Sequence, residues 1–216
     1  MALPFSQTEF FGVFAAYNEA VWPAQLVLYA LAVGAVVAAA GPGRRRGVAV
    51  SGILAFFWTW IAVVYHWLHF SDVNPAARVF GGFFLIQAAL FVWTGVARAR
   101  LAFERPGGWR GVVGALLIAY ALAVYPLIGL TVGHPARELP AMGVPCPTTI
   151  LTLGLLFWAR RPFPRSLLAI PVVWSAIGGT AAFALGVPQD LGLLAAGLLA
   201  LTLLRRGRGT NALENG

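Results

Sequence analysis

Three histidines, one cysteine and seven acidic residues are what this 216-residue chain offers for proton, thiol or metal chemistry, and it has no lysine. His66 and His69 stand three apart, a spacing that puts both on one face of an α-helix. Asp72 follows a turn later, His134 lies near Glu138, and Cys146 comes in the next segment. Imidazole, carboxylate and thiolate are the ligands of soft and borderline metals, so His66, His69, His134 and Cys146 form a candidate metal set. No tight metal motif joins them, and they come from separate connections. A histidine between Tyr65 and Trp67 also suits the aromatic belt of a membrane interface. His66 lies deeper than the others, and ionisable groups at depth are functional candidates by default. Thr59, seven residues earlier, extends the same face inward.

Cys146 sits in Pro145-Cys146-Pro147-Thr148-Thr149. Pro147 suits the first turn of a helix and Pro145 resists helix upstream of it. That places Cys146 near an N-cap, beside free N–H groups and a positive dipole end, a setting that favours the reactive thiolate. Thr148 and Thr149 add hydroxyls there. The plain alternative is a small buried apolar residue. As the lone cysteine it forms no internal disulfide. Gln87 and Thr94, seven apart, together with Thr131, Thr152, Ser175 and Thr180, are explained by hydrogen bonds between helices. Asp190, just after Pro188, fits a cap on the last helix. Without lysine there is no retinal Schiff base. Gly41-Pro42-Gly43 lacks the spacing of a phosphate-binding loop, and no Gly-x-Ser-x-Gly, His-Glu-x-x-His, Cys-x-x-Cys or ceramidase-like zinc signature occurs.

The elements that must position these groups follow from composition. With 60% hydrophobic and 10% charged residues, against about 25% charged in soluble domains, the expected class is an all-α integral membrane protein. Apolar spans fall at 21–40, 48–69, 76–97, 112–132, 144–158, 167–185 and 188–204, giving a bundle of about seven transmembrane helices over 21–204. Thirteen of 15 arginines lie in four clusters: Arg44 to Arg46, Arg98 to Arg110, Arg160 to Arg165, and Arg205 to Arg208. They occupy alternate connections, so the positive-inside rule puts the N-terminus outside and the C-terminus inside. Their dispersal over four edges argues against nucleic acid and for anionic lipid, despite a net charge of +8. No positive stretch precedes the first apolar span, so no cleavable signal is expected. Residues 1–20 hold an outer amphipathic interfacial helix: Ser6 and Glu9 have capping-box spacing, Phe5 and Phe10 staple spacing. Phe10, Phe14, Tyr17 and Val21 make its apolar face. Its expected role is an anchor, with a gate over an outward cavity as the alternative. Residues 205–216 form a polar cytoplasmic tail. The fifth span is broken. Residues 147–158 give roughly 18 Å of helix against about 30 Å of hydrocarbon, and non-helical backbone at that depth must be buried in protein or line a wet cavity.

Tyr65-His66-Trp67-Leu68, Asn74-Pro75-Ala76-Ala77, Gln87 and Pro145-Cys146-Pro147-Thr148-Thr149 resemble a family of bacterial multi-pass inner-membrane proteins that is a domain of unknown function. The resemblance runs from Phe5 to about Leu204 and implies an inner-membrane location, with no activity attached. It makes Tyr65, His66, Asn74, Gln87 and Cys146 members of the family pattern. The function expected is a small permease-like or soft-metal- and solute-binding protein, with an outward polar cavity around Tyr65, His66, Asn74, Gln87, Cys146, Thr148 and Thr149. Two alternatives stand beside it: a membrane enzyme using His66 and Cys146, with a metal or haem, and a non-catalytic accessory subunit. The expected partners are lipid and a small solute or metal ion, with a second copy or another membrane protein possible.

Overall fold

In the computed structural model, which describes residues 4–131 and 135–204, the chain is all helical, with no strand among the described residues. Among the described residues eight longer helical segments follow in order, besides a single 3₁₀ turn at Ala136–Glu138: α1 Gln7–Val21, α2 Ala24–Ala39, α3 Arg44–Asp72, α4 Ala77–Ala97, α5 Gly108–Thr131, α6 Pro145–Phe157, α7 Ser166–Ala184 and α8 Asp190–Leu204. By length and composition α3, α4, α5 and α7 are each able to cross a membrane. α1 and α2 qualify only as a pair bent by 92°, which raises the number to at most five, and α6 and α8 are shorter apolar helices.

Local chemistry sets the ends. Ser6 caps α1 in both senses: its hydroxyl accepts from the Glu9 N–H at 3.2 Å, and the Glu9 carboxylate accepts from the Ser6 N–H at 2.7 Å. Phe5 stacks on Phe10 at 5.9 Å. Pro23 then forces Trp22 into extended backbone and ends the helix. Arg44, Arg45 and Arg46 lie in the first turn of α3 rather than on a loop, because Gly43 takes the left-handed φ of +136° and no helix breaker follows it. Three helices widen to π geometry part-way: Ile61–Trp67, Val92–Ala97 and Tyr120–Val124. The last of these lies just ahead of Pro126, whose ring crowds the carbonyl four residues back.

α6 is the axis of the bundle. Of its residues only Cys146 is partly exposed, whereas α2 buries just Leu28, Ala32, Ala35 and Ala39. The outer faces of the surrounding helices carry large apolar side chains, among them Val33, Phe83, Leu116, Leu127, Val173 and Leu198. α7 and α8 pack closely because a side chain at Gly197 would strike Ser175, and one at Gly178 would strike Leu193. Pro171 lies inside α7, and the carbonyl of Pro171 takes the Ser175 hydroxyl at 2.8 Å.

The connections sort to two ends. At one, Phe103 pairs with Ala159, Arg110 donates to the Phe157 and Ala159 carbonyls at 2.9 Å each, and Arg161 donates to the Leu203 carbonyl. Cations thus satisfy the last carbonyls of α6. At the other end α1 lies across the bundle. Gln7 reaches the Leu185 carbonyl at 2.8 Å, Tyr17 the Gly143 carbonyl at 3.0 Å, and Asn18 the Arg137 and Leu139 carbonyls at 2.7 and 2.9 Å. The arginine clusters that the structure describes therefore gather opposite α1. Arg205, Arg206, Arg208 and the tail lie outside the described residues.

Candidate functional site

Residues 139–144 approach α6 without regular helix, and Leu139, Pro140, Met142, Gly143 and Val144 are buried. This is the buried irregular backbone expected of a broken span. The helix itself starts earlier than the prolines suggest. Pro145 is the first helical residue and Val144 the N-cap, which moves Cys146 from the N-cap into the first turn. The reason is that first-turn N–H groups have no intrahelical partner, so prolines at both Pro145 and Pro147 remove nothing the helix uses.

Cys146 meets a carboxylate. Its thiol donates to Asp190 Oδ2 at 3.6 Å, and the Tyr125 hydroxyl donates to Asp190 Oδ1 at 2.6 Å. Three helices therefore converge: Tyr125 from α5, Cys146 from α6 and Asp190 from the first turn of α8. Asp190 is 1% exposed and Tyr125 likewise. The expected cap by Asp190 does not form. Gln189 holds the N-cap position without a side-chain bond, and the Asp190 side chain turns inward. Two donors and the positive ends of α6 and α8 oppose the cost of burying that charge.

The thiol and carboxylate border a partly open hollow of about 160 Å³. Phe5, just ahead of α1, and Phe10 and Phe14 of α1 roof it, and Tyr65, Phe70, Phe80 and Trp174 wall it. Phe14 stacks on Tyr65 at 5.8 Å, Tyr65 on Phe70 at 5.7 Å, and Phe80 meets Trp174 edge-on at 5.4 Å. α1 thus covers one side of this hollow. A side chain at Gly178 would come within 3.4 Å of the Trp174 indole nitrogen and 3.6 Å of the Cys146 sulfur. Glycine there keeps the floor of the cavity open.

The other expected site residues divide. Tyr65, Asn74 and Cys146 line the cavity. His66 does not line it. The ring of His66 is 0% exposed and lies among Phe84 at 4.8 Å, Trp174 at 5.3 Å and Phe80 at 5.9 Å, with neither nitrogen hydrogen-bonded. His69 turns to α1, its Nδ1 2.7 Å from the Val64 carbonyl and its ring on Tyr17. The two histidines part because the helix widens to π geometry through Trp67, with Leu68 N–H on the Val63 carbonyl five residues back, and has ended at His69, whose backbone is not helical, so positions three apart no longer share a face. Gln87 donates to the Leu167 carbonyl at 3.1 Å, tying α4 to α7 away from the cavity. Thr148 accepts from the Gly143 N–H at 3.3 Å and donates to Met142 sulfur, steadying the approach to α6, and the Thr149 hydroxyl is buried without a partner. His134 lies outside the described residues. Among the described residues no three His, Cys, Asp or Glu side chains group to hold a metal, so His66, His69 and Cys146 are not brought together as ligands.

Sequence reasoning missed Asp190, Tyr125 and the aromatic walls as parts of one site. The available signal was Asp190 itself, an acidic residue at the head of an apolar span, where ionisable side chains face the interior. The comparisons add a family and no activity. The chain belongs to the family of unknown function DUF6064, whose model matches residues 7–215 and so spans α1 as well as the bundle. It matches no curated protein and no solved structure.

Proposed function

We propose that this DUF6064 member is a small permease-like, solute-binding protein of the bacterial inner membrane, with seven crossings, the N-terminus outside and the C-terminus in the cytoplasm. The lipid-facing apolar side chains on α2, α4, α5, α7 and α8 support the membrane reading, since soluble proteins rarely expose large contiguous apolar surface. Placing the arginine-bearing connections opposite α1 supports the orientation. Counting seven crossings needs α6 and α8, whose short helices are completed by the buried stretch 139–144 and by residues 185–189. The observation that carries the function is the partly open cavity in which Cys146 and the buried Asp190 side chain meet aromatic walls beneath α1. Binding sites are commonly apolar hollows with a few convergent polar groups, and midplane-facing helix starts are where transporters hold solutes.

The chain's lone cysteine gives the test. A membrane-impermeant thiol reagent added to intact cells is expected to label Cys146, and Cys146→Ser to abolish the signal. Labelling only after the cytoplasmic face is opened would overturn the outward orientation. Catalysis by a His66–Cys146 pair draws no support from the geometry, since the thiol's partner is Asp190 and His66 lies behind Trp174.

A further inference from the structure

We infer that the cavity beneath α1 binds a small organic cation, an alkylated ammonium or amine, held by the Asp190 carboxylate among a cluster of aromatic side chains. This rests on the solute-binding reading and names the class of solute. The lining contains one acidic side chain, Asp190, and no arginine, although the chain carries 15. An anion would therefore meet a carboxylate with no counter-charge nearby. The first turn of α6 is also a poor anion cradle, because Pro145 and Pro147 lack N–H groups. A purely apolar solute would fill the space but leave a buried carboxylate with only a phenol and a thiol to balance it.

A cation satisfies both parts of the lining. Phe5, Phe10, Phe14, Tyr65, Phe70, Phe80 and Trp174 all border the same space, and ring faces attract ammonium groups most strongly where water is excluded. A buried carboxylate beside them supplies the opposite charge. A volume of about 160 Å³ is close to that of an engineered apolar cavity that accepts benzene, so the part of the solute held there has at most about six to eight non-hydrogen atoms. Tetramethylammonium fits within that size and serves as the probe.

The test uses Cys146 as a reporter in the purified full-length protein in detergent, where either side of the membrane is accessible. Two methanethiosulfonates are compared, one carrying a trimethylammonium group and one a sulfonate, each rate normalised to its rate with a free thiol. The cationic reagent is expected to be favoured by at least about tenfold, the scale of a desolvated cation–π contact. Tetramethylammonium chloride should slow the labelling and sodium chloride at the same concentration should not. In Asp190→Asn, which keeps the size of the side chain, the preference should fall to less than about twofold. Equal normalised rates in the wild type, or no protection by tetramethylammonium, would overturn the inference, and neither measurement depends on a variant. Cation preference in detergent without labelling of intact cells would leave the cation site standing and overturn the outward-facing reading. Failure of both reagents to reach Cys146 in detergent would show a sealed space and remove both.

Discussion

Two buried polar places lie on either side of Trp174, and they are built in opposite ways. On one side Asp190 has a donor for each oxygen, drawn from α5 and α6, and it borders open space. On the other, His66 has no partner for either nitrogen and is packed edge and face against rings. The difference teaches where to look for a site. Partnered polar groups that converge from several helices onto a cavity are organised to hold something. A polar side chain walled in by aromatics, with its donors unmet, behaves as a flat packing element.

Substitutions at the two places should therefore diverge. Asp190→Ala strands the Tyr125 hydroxyl and the Cys146 thiol, so we expect a loss of about 3 kcal/mol, seen as a lower midpoint of thermal unfolding in detergent. Tyr125→Phe removes one charge-assisted bond and leaves the second donor, for about 1.5 kcal/mol by the same measurement. His66→Phe should stay within about 1 kcal/mol of the wild type, because it deletes unmet polar atoms and keeps a ring. A large loss at His66 would break the contrast and give that imidazole a ligand or a proton to handle.

The smallest effect lies at the cover. Glu9, exposed in the first turn of α1, has its carboxyl held below its usual range by the Ser6 backbone N–H first and the Ser6 hydroxyl second. A depressed folded-state value contributes stability above the ordinary carboxylate range, and that contribution fades as pH falls through the folded value. Acid should thus loosen the first turn of α1, read as faster hydrogen exchange there, and Glu9→Gln should flatten the dependence. Exchange that ignores pH in the wild type would show that Phe5 and Phe10, not the cap, hold the cover down.

The parts legible in the sequence are those set by neighbours in the chain. The Ser6–Glu9 capping box, the Phe5–Phe10 contact and the apolar face through Phe14 and Tyr17 need only residues a few apart, and they form as the spacing predicts. The break ahead of α6 was legible for the same reason, since prolines act on their own backbone. Its exact start was not, because a helix tolerates either proline in its first turn. His66 and His69 diverge because π geometry changes the face rule, and apolar periodicity carries little sign of that widening. Asp190 and Tyr125 are 65 residues apart, and no spacing rule reaches so far.

By itself the sequence determined an apolar, all-helical chain, the alternation of its arginine-bearing connections, the cap of α1 and the weakness before α6. Each depends on composition or on short-range backbone chemistry, which operate before the chain is packed. Only the tertiary structure decided that α1 roofs a cavity, that Cys146 answers to Asp190 rather than to His66, and that seven aromatic side chains share one space. Those outcomes depend on which helix faces meet, and helix packing brings together residues that the chain itself keeps far apart.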